Sequence, residues 1–408
     1  MVAVAIIKSS EEISMRKRPF KPAEGVSNIE LFYDLIFVYG ISVVTSLCRD
    51  PQAGFFDWGM WFIYLFSFLA ILQIWFFTTL LMNRYGDRSP AETVSLFTNM
   101  FLIYFLANGV RLDWHETARM FNLTWAAILL NLAFQWLLKL RTYTNLDQTD
   151  RSIMIWTIVS LGVQAVLAVI AAFLPEHPSE LMSWLALLFG MSVWGQSRLY
   201  RTKPARFSHL AERCSLLTIV AFGEMVVGIS SYMTGMSSMW YPIGIFLLTV
   251  GLFLIYIFEH DFMLDQSART DGMSYMTVSS WLIVVIGNLT LAFEYMPMDE
   301  IAYLPKSAFL SVCLVLYLLT SFILGRYNKP QYRYSRNYVI ARLIVCAFIV
   351  LVGVGTSFNP VIGLGCHVAA VYATFAYELF LFRKRDKLME MGSSLGLTCE
   401  QMTDQRKR

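Results

Sequence analysis

The sequence predicts an all-α fold, a polytopic transmembrane bundle of about twelve helices, and three observations carry that prediction. Hydrophobic residues make up 57% of the 408 and charged residues only 15%, against about 25% charged in ordinary soluble domains. Apolar stretches of roughly 20 residues, the length that crosses a bilayer core, recur along the whole chain. The lysines and arginines between them fall almost entirely in alternate connections. Lipid offers no partner to an exposed backbone N–H or C=O, so stretches of this length must be helical.

The first 27 residues read as a cytoplasmic tail. An apolar patch precedes Arg16, Lys17 and Arg18, the reverse of the order in a secretory signal. The predicted spans are 28–48, 56–82, 91–111, 119–140, 152–174, 179–198, 208–232, 240–260, 274–296, 304–326, 338–357 and 361–382, followed by a cytoplasmic tail at 383–408. Ser27 with Glu30, and Ser89 with Glu92, have the spacing of capping boxes, and Pro90 takes the first helical position. Asn328, Lys329 and Pro330 punctuate the longest polar break of the second half.

Charge tests this count. With the N-terminus inside, most basic residues lie in cytoplasmic segments, and the outer segments hold only Arg49, Arg111, Arg119 and Lys306. Basic loops next to a membrane helix resist translocation, and an error of one helix would invert every later loop. Both termini are therefore expected in the cytoplasm. An even count also admits two six-helix repeats; Tyr39-Gly40-Ile41-Ser42 has an echo in Val227-Gly228-Ile229-Ser230.

An ionised side chain at mid-bilayer costs on the order of 3 kcal/mol on insertion scales, so each one asks for a reason. Glu30 and Asp34 stand four apart on one face of the first span. Capping accounts for Glu30; Asp34 lies a turn deeper and is either a structural ion pair or a ligand or proton site. The seventh span carries His209, Glu212, Arg213 and Glu224. The first three could be a solvated helix start, whereas Glu224 lies about 16 Å further along, beyond any cap. Thr79, Asn83 and Arg84 line the inner half of the second span, as interhelical glue or as ligand contacts. Asn131 and Gln135 read as glue, and Glu294 and His367 as structural.

Six cysteines without a CxxC pair and five scattered histidines give no metal site, and no cofactor is expected. No P-loop, dinucleotide fingerprint, HExxH or nucleophile elbow occurs. The bilayer and an unidentified small molecule or ion are the expected partners, with no nucleic acid.

Three stretches resemble one family. Ile29-Glu30-Leu31-Phe32-Tyr33-Asp34-Leu35-Ile36-Phe37-Val38, the Trp75 to Tyr85 segment, and His209-Leu210-Ala211-Glu212-Arg213 with Gly223-Glu224 are similar to signatures of the low-temperature-requirement A (LtrA) family of bacterial membrane proteins. Gly86 before Asp87, and Phe253-Leu254-Ile255-Tyr256 in place of paired tryptophans, depart from its pattern. The resemblance implies a bacterial inner-membrane protein linked by name to growth in the cold, and it brings no settled mechanism.

The intramembrane charges point first to a proton- or ion-coupled transporter or permease-like protein, with Glu30, Asp34, Thr79, Asn83, Arg84, His209, Glu212, Arg213 and Glu224 as candidate site residues. The alternatives are a membrane-embedded enzyme acting on a lipid or quinone, and a membrane sensor or assembly factor.

Overall fold

Thirteen helices fill the described residues of the computed structural model, 25–49, 58–110, 114–191, 197–232, 239–355 and 359–394. They are α1 (Asn28–Ser46), α2 (Trp58–Tyr85), α3 (Pro90–Asn108), α4 (Trp114–Thr142), α5 (Gln148–Ala171), α6 (Glu176–Gly190), α7 (Ser197–Thr202), α8 (Phe207–Tyr232), α9 (Trp240–Phe258), α10 (Met273–Tyr295), α11 (Tyr303–Leu324), α12 (Arg336–Gly355) and α13 (Pro360–Ser394). No strand occurs among them beyond an isolated backbone bridge between Leu264 and Asn328. Arg111 and Asp113, expected at an outer helix end, lie outside the described residues.

All twelve predicted spans coincide with helices, and ten of these are long and apolar enough to cross a membrane. The two that fall short do so for different reasons. α6 ends after 15 residues at Gly190, which is less than a hydrocarbon thickness. α8 has 26 residues, but every 18-residue stretch of it up to Gly228 holds Glu212, Arg213 and Glu224 together. The last helix continues past the expected 382 to Ser394. Phe101, Phe173 and Leu351 are 64%, 62% and 70% exposed. Apolar surface on this scale has no place against water, and the chain is a multi-pass protein embedded in a membrane.

The helices form two compact units, the first of residues 1–220 with 269–280 and the second of 221–268 with 281–408. The division falls inside α8 and again inside α10.

In the first unit α2 is apolar all round and buried on nearly every side, with Phe66, Phe68, Ile71, Trp75 and Phe77 at 0–2% exposure, as befits a central helix. α1, α4 and α6 pack on it, and α3 and α5 pack on α4. Ser95 and Asn99 of α3 bind Asn131 of α4 at 2.7 Å each, so Asn131 acts as interhelical glue. Gly272 has a φ of +76°, and a Cβ there would stand 2.5 Å from Leu210 Cδ2. Only glycine lets the 269–272 loop turn beside α8.

In the second unit α9 packs on α13, and α11, α12 and α13 pack in succession. A Cβ on Gly251 would meet Val371 Cγ1 at 2.8 Å, so the missing side chain lets α9 and α13 approach closely. α9 ends in one π turn, Glu259–Met263.

The turn between α2 and α3 departs from the predicted capping box. Ser89 does accept from Glu92 N–H. The Glu92 carboxylate, however, accepts from the N–H groups of Asp87 at 3.2 Å and Arg88 at 3.3 Å, and from Lys139 Nζ at 2.6 Å. Arg88 needs this support because its φ is +52°, a conformation that costs a non-glycine residue roughly 1 kcal/mol. Lys139 also binds Asp87 directly. Burial works against the Asp87 charge, but the Lys139 ammonium outweighs it and holds the carboxyl well below the usual carboxylate range.

A carboxyl depressed in the folded state contributes stability above its unfolded pKa of about 4, and that contribution is lost as pH falls. Asp87→Asn should therefore lower stability most at pH 6–7, and the gap to wild type should narrow as pH drops below about 4. Thermal unfolding in detergent measures this, and a gap that is constant or widens on acidification would contradict it. Lys139→Met leaves two buried carboxylates facing each other and should cost about 3–5 kcal/mol.

Candidate functional site

The first turn of α1 is a reciprocal capping box: Ser27 accepts from Glu30 N–H at 3.2 Å, and the Glu30 Oε1 accepts from Ser27 N–H at 3.4 Å and Oγ at 3.1 Å. The cap therefore occupies one carboxylate oxygen and turns the other inward. Glu30 Oε2 lies 3.2 Å from His209 Nε2 and 3.5 Å from Arg213 Nη1. One turn deeper, Asp34 is clamped on both oxygens by Arg213, through Nη2 and through Nε at 3.3 Å, and its Oδ1 also accepts from Trp75 Nε1 at 2.9 Å. Glu30, Asp34, His209 and Arg213 are all at least 96% buried, and Arg213 is completely so. The four-residue spacing on α1 and on α8 is what stacks Glu30 beside His209 and Asp34 beside Arg213. A lysine could not replace Arg213, because the planar fork reaches two carboxylates at once.

Asn83 extends this cluster toward the loops. Its Oδ1 accepts from Arg206 N–H at 3.2 Å and its Nδ2 donates to Arg206 C=O at 3.0 Å, which fixes the orientation of the amide. The same Nδ2 stands 3.3 Å from His209 Nδ1. A donor pointing at Nδ1 requires that nitrogen to accept, so the ring proton lies on Nε2 and faces Glu30. Arg206 in turn donates to the carbonyls of Asn83 at 2.6 Å and Met82 at 2.8 Å, closing the C-terminal end of α2.

Beyond Asn83 opens a cavity of about 300 Å³ lined by Asn83, Arg84, Tyr85, Asp150, Lys203 and Arg206, among others. Arg84 ties two loops together, donating to Lys203 C=O at 2.7 Å and Asp271 C=O at 2.8 Å, with its guanidinium 4.8 Å from the centre of the Tyr200 ring. Asp150 accepts from Tyr85 Oη at 3.0 Å and Lys203 Nζ at 2.6 Å. Asp147 caps α5 and pairs with Lys203 at 2.9 Å. The Asp150 N–H and then Lys203 hold its carboxyl below the ordinary value.

Of the nine residues predicted from sequence, Glu30, Asp34, Asn83, His209 and Arg213 meet in one cluster, and Arg84 lines the neighbouring cavity. Thr79 is fully buried, and its hydroxyl has no hydrogen-bond partner. Glu212 is exposed, and Glu224 is half-buried, eleven residues beyond Arg213. Trp75 and Arg206 complete the cluster. In the sequence Trp75 stands at the start of the Trp75 to Tyr85 motif, and Arg206 is one basic residue of a polar connection. No single-residue signal marks either one as a contact; their roles depend on how α2 is turned.

A family profile described as "Bacterial low temperature requirement A protein (LtrA)" matches residues 25–375. The chain belongs to that family. No curated protein matches it, and no solved structure does.

Arg213→Met should cost about 3–5 kcal/mol, because it strands two buried carboxylates. Adding Asp34→Asn should recover part of that loss, giving a coupling energy above about 1 kcal/mol in a double-mutant cycle of unfolding in detergent. Additivity within about 0.5 kcal/mol would contradict the pairing. Glu212→Gln should change stability by less than about 0.5 kcal/mol.

Proposed function

We propose that this LtrA-family protein is a proton-coupled translocator of a small solute or ion in the bacterial cytoplasmic membrane, with both termini in the cytoplasm. The observation that carries the reading is the continuous polar chain Asn83–His209–Glu30–Arg213–Asp34, which runs from the edge of a cavity into the buried core.

His209 couples proton binding to movement. While its Nδ1 accepts from Asn83, the cluster holds one guanidinium against two carboxylates. A proton arriving at Nδ1 balances those charges. It also sets an N–H against the Asn83 Nδ2–H, and two donors repel. The Asn83 amide must then turn away, and turning it releases the N–H and C=O of Arg206 that it clamps. Proton uptake thus loosens the 203–206 segment that forms one wall of the cavity, a two-state element biased by a local charge change. Asp34, one turn deeper and held by Arg213 and Trp75, is the next carboxyl in line. Paired charges at this depth are a recurrent feature of proton pathways.

Proteoliposomes of the full chain, loaded with a pH-sensitive dye and given a pH gradient, provide the test. Wild-type protein should move protons, and His209→Gln and Asp34→Asn should slow that movement at least about tenfold, as expected for a lost proton-transfer group. Glu224→Gln tests whether the half-buried carboxyl further along α8 takes part. Identical traces for wild type, all variants and empty vesicles would end the proposal.

A further inference from the structure

The second unit buries an arginine against two carboxylates of its own. Arg342 on α12 is 3% exposed, Glu378 on α13 is fully buried, and Glu259, in the π turn that ends α9, is 8% exposed. Arg342 Nη1 lies 2.5 Å from Glu378 Oε1, and its Nη2 lies 3.8 Å from Glu259 Oε1. Hydroxyls surround the three charges: Tyr338 donates to Glu378 Oε1 at 2.6 Å, Tyr334 donates to Glu259 Oε1 at 2.7 Å, and Ser321 on α11 donates to Glu259 Oε2. The guanidinium is further anchored to Leu318 C=O at 3.1 Å and Ser321 Oγ at 3.2 Å.

Charge counting leaves this group one positive charge short, in a place where an uncompensated ion is costly. The missing charge is either a proton or a bound cation, and the oxygens decide between them. Both oxygens of Glu259 already accept hydrogen bonds, as does Glu378 Oε1, whereas Glu378 Oε2 is buried without a partner. One bare oxygen falls far short of the six or more that a hard cation gathers, but it is enough for a proton. The π turn is a second pointer, since such turns interrupt helices most often at functional positions. Its i to i+5 bond, Leu264 N–H to Glu259 C=O at 3.0 Å, widens the helix where it delivers Glu259 to Arg342.

We infer that Glu378 and Glu259 together hold one exchangeable proton against Arg342, making the second unit a proton-binding site. The inference is independent of the role proposed for His209. The charged and titratable groups facing the carboxyl pair are Arg342 and Tyr338 from α12, Tyr334 from the loop before it and Tyr317 from α11, with His260 beside Glu259 on the turn. Tyr334, on the loop before α12, is hydrogen-bonded to Glu259.

Infrared spectroscopy of the purified full-length protein tests this. Wild type should show the carbonyl stretch of a neutral carboxylic acid, shifted when glutamate alone carries carbon-13. Glu378→Gln should abolish the band. Glu259→Gln should abolish it too, because Glu378 then has Arg342 to itself and ionises. If Glu378→Gln fails to fold, Glu259→Gln decides alone. A wild-type spectrum without a glutamate band, or a band that persists in Glu259→Gln, would overturn the proposal.

Discussion

An ion buried in a lipid-spanning helix needs its charge answered from within the protein, and Arg213 answers for the first unit. Its fork engages Asp34 on both oxygens and reaches Glu30, while Trp75 completes the Asp34 shell. The geometry of α1, α2 and α8 around that point follows from it. A register shift of one residue on α1 or α8 would carry the carboxylates or the guanidinium to the lipid face. The second unit, taken by itself, uses the same ingredients, with Arg342 between Glu259 and Glu378. Each group retains one carboxylate more than its guanidinium can balance.

The surroundings of the first cluster explain how so polar a group stays ordered. Ser27 holds one oxygen of Glu30, Asn83 is fixed by two bonds to the Arg206 backbone, and Arg206 closes the end of α2. Every side chain in the chain from Asn83 to Asp34 thereby has one orientation. In the proposed mechanism, protonation of His209 removes the reason for one of those bonds.

Much of this was legible in the sequence. Span positions follow from apolar length, and the high cost of charge at depth singles out Asp34 and Glu224; that Glu30 and Asp34 meet His209 and Arg213 is seen only once α1 and α8 are packed. Three stretches resembled the LtrA family, and the match over 25–375 shows that the chain belongs to it. Other features depended on three-dimensional placement. Lys139 reads as an ordinary basic helix end, yet it folds back onto Asp87 and Glu92. Glu92 has the spacing of a capping box, but the left-handed Arg88 diverts its carboxylate. Arg342 and Glu378 could have been found, since both lie inside apolar spans and meet the criterion that singled out Asp34. Glu259 lies at the end of the predicted 240–260 span, and only the π turn brings it to Arg342.

The account rests on the Asn83 amide donating to His209 Nδ1, so that the ring proton faces Glu30. Nitrogen-15 NMR of imidazole-labelled protein, with His209 assigned by comparison with His209→Gln, reads this directly, together with hydrogen exchange at residues 203–206. The account predicts an Nε2–H tautomer with an unprotonated Nδ1 while the 203–206 amides are protected, and loss of that protection when the ring takes up a second proton. A proton on Nδ1 in the protected state, or protection unchanged by ring protonation, would contradict it.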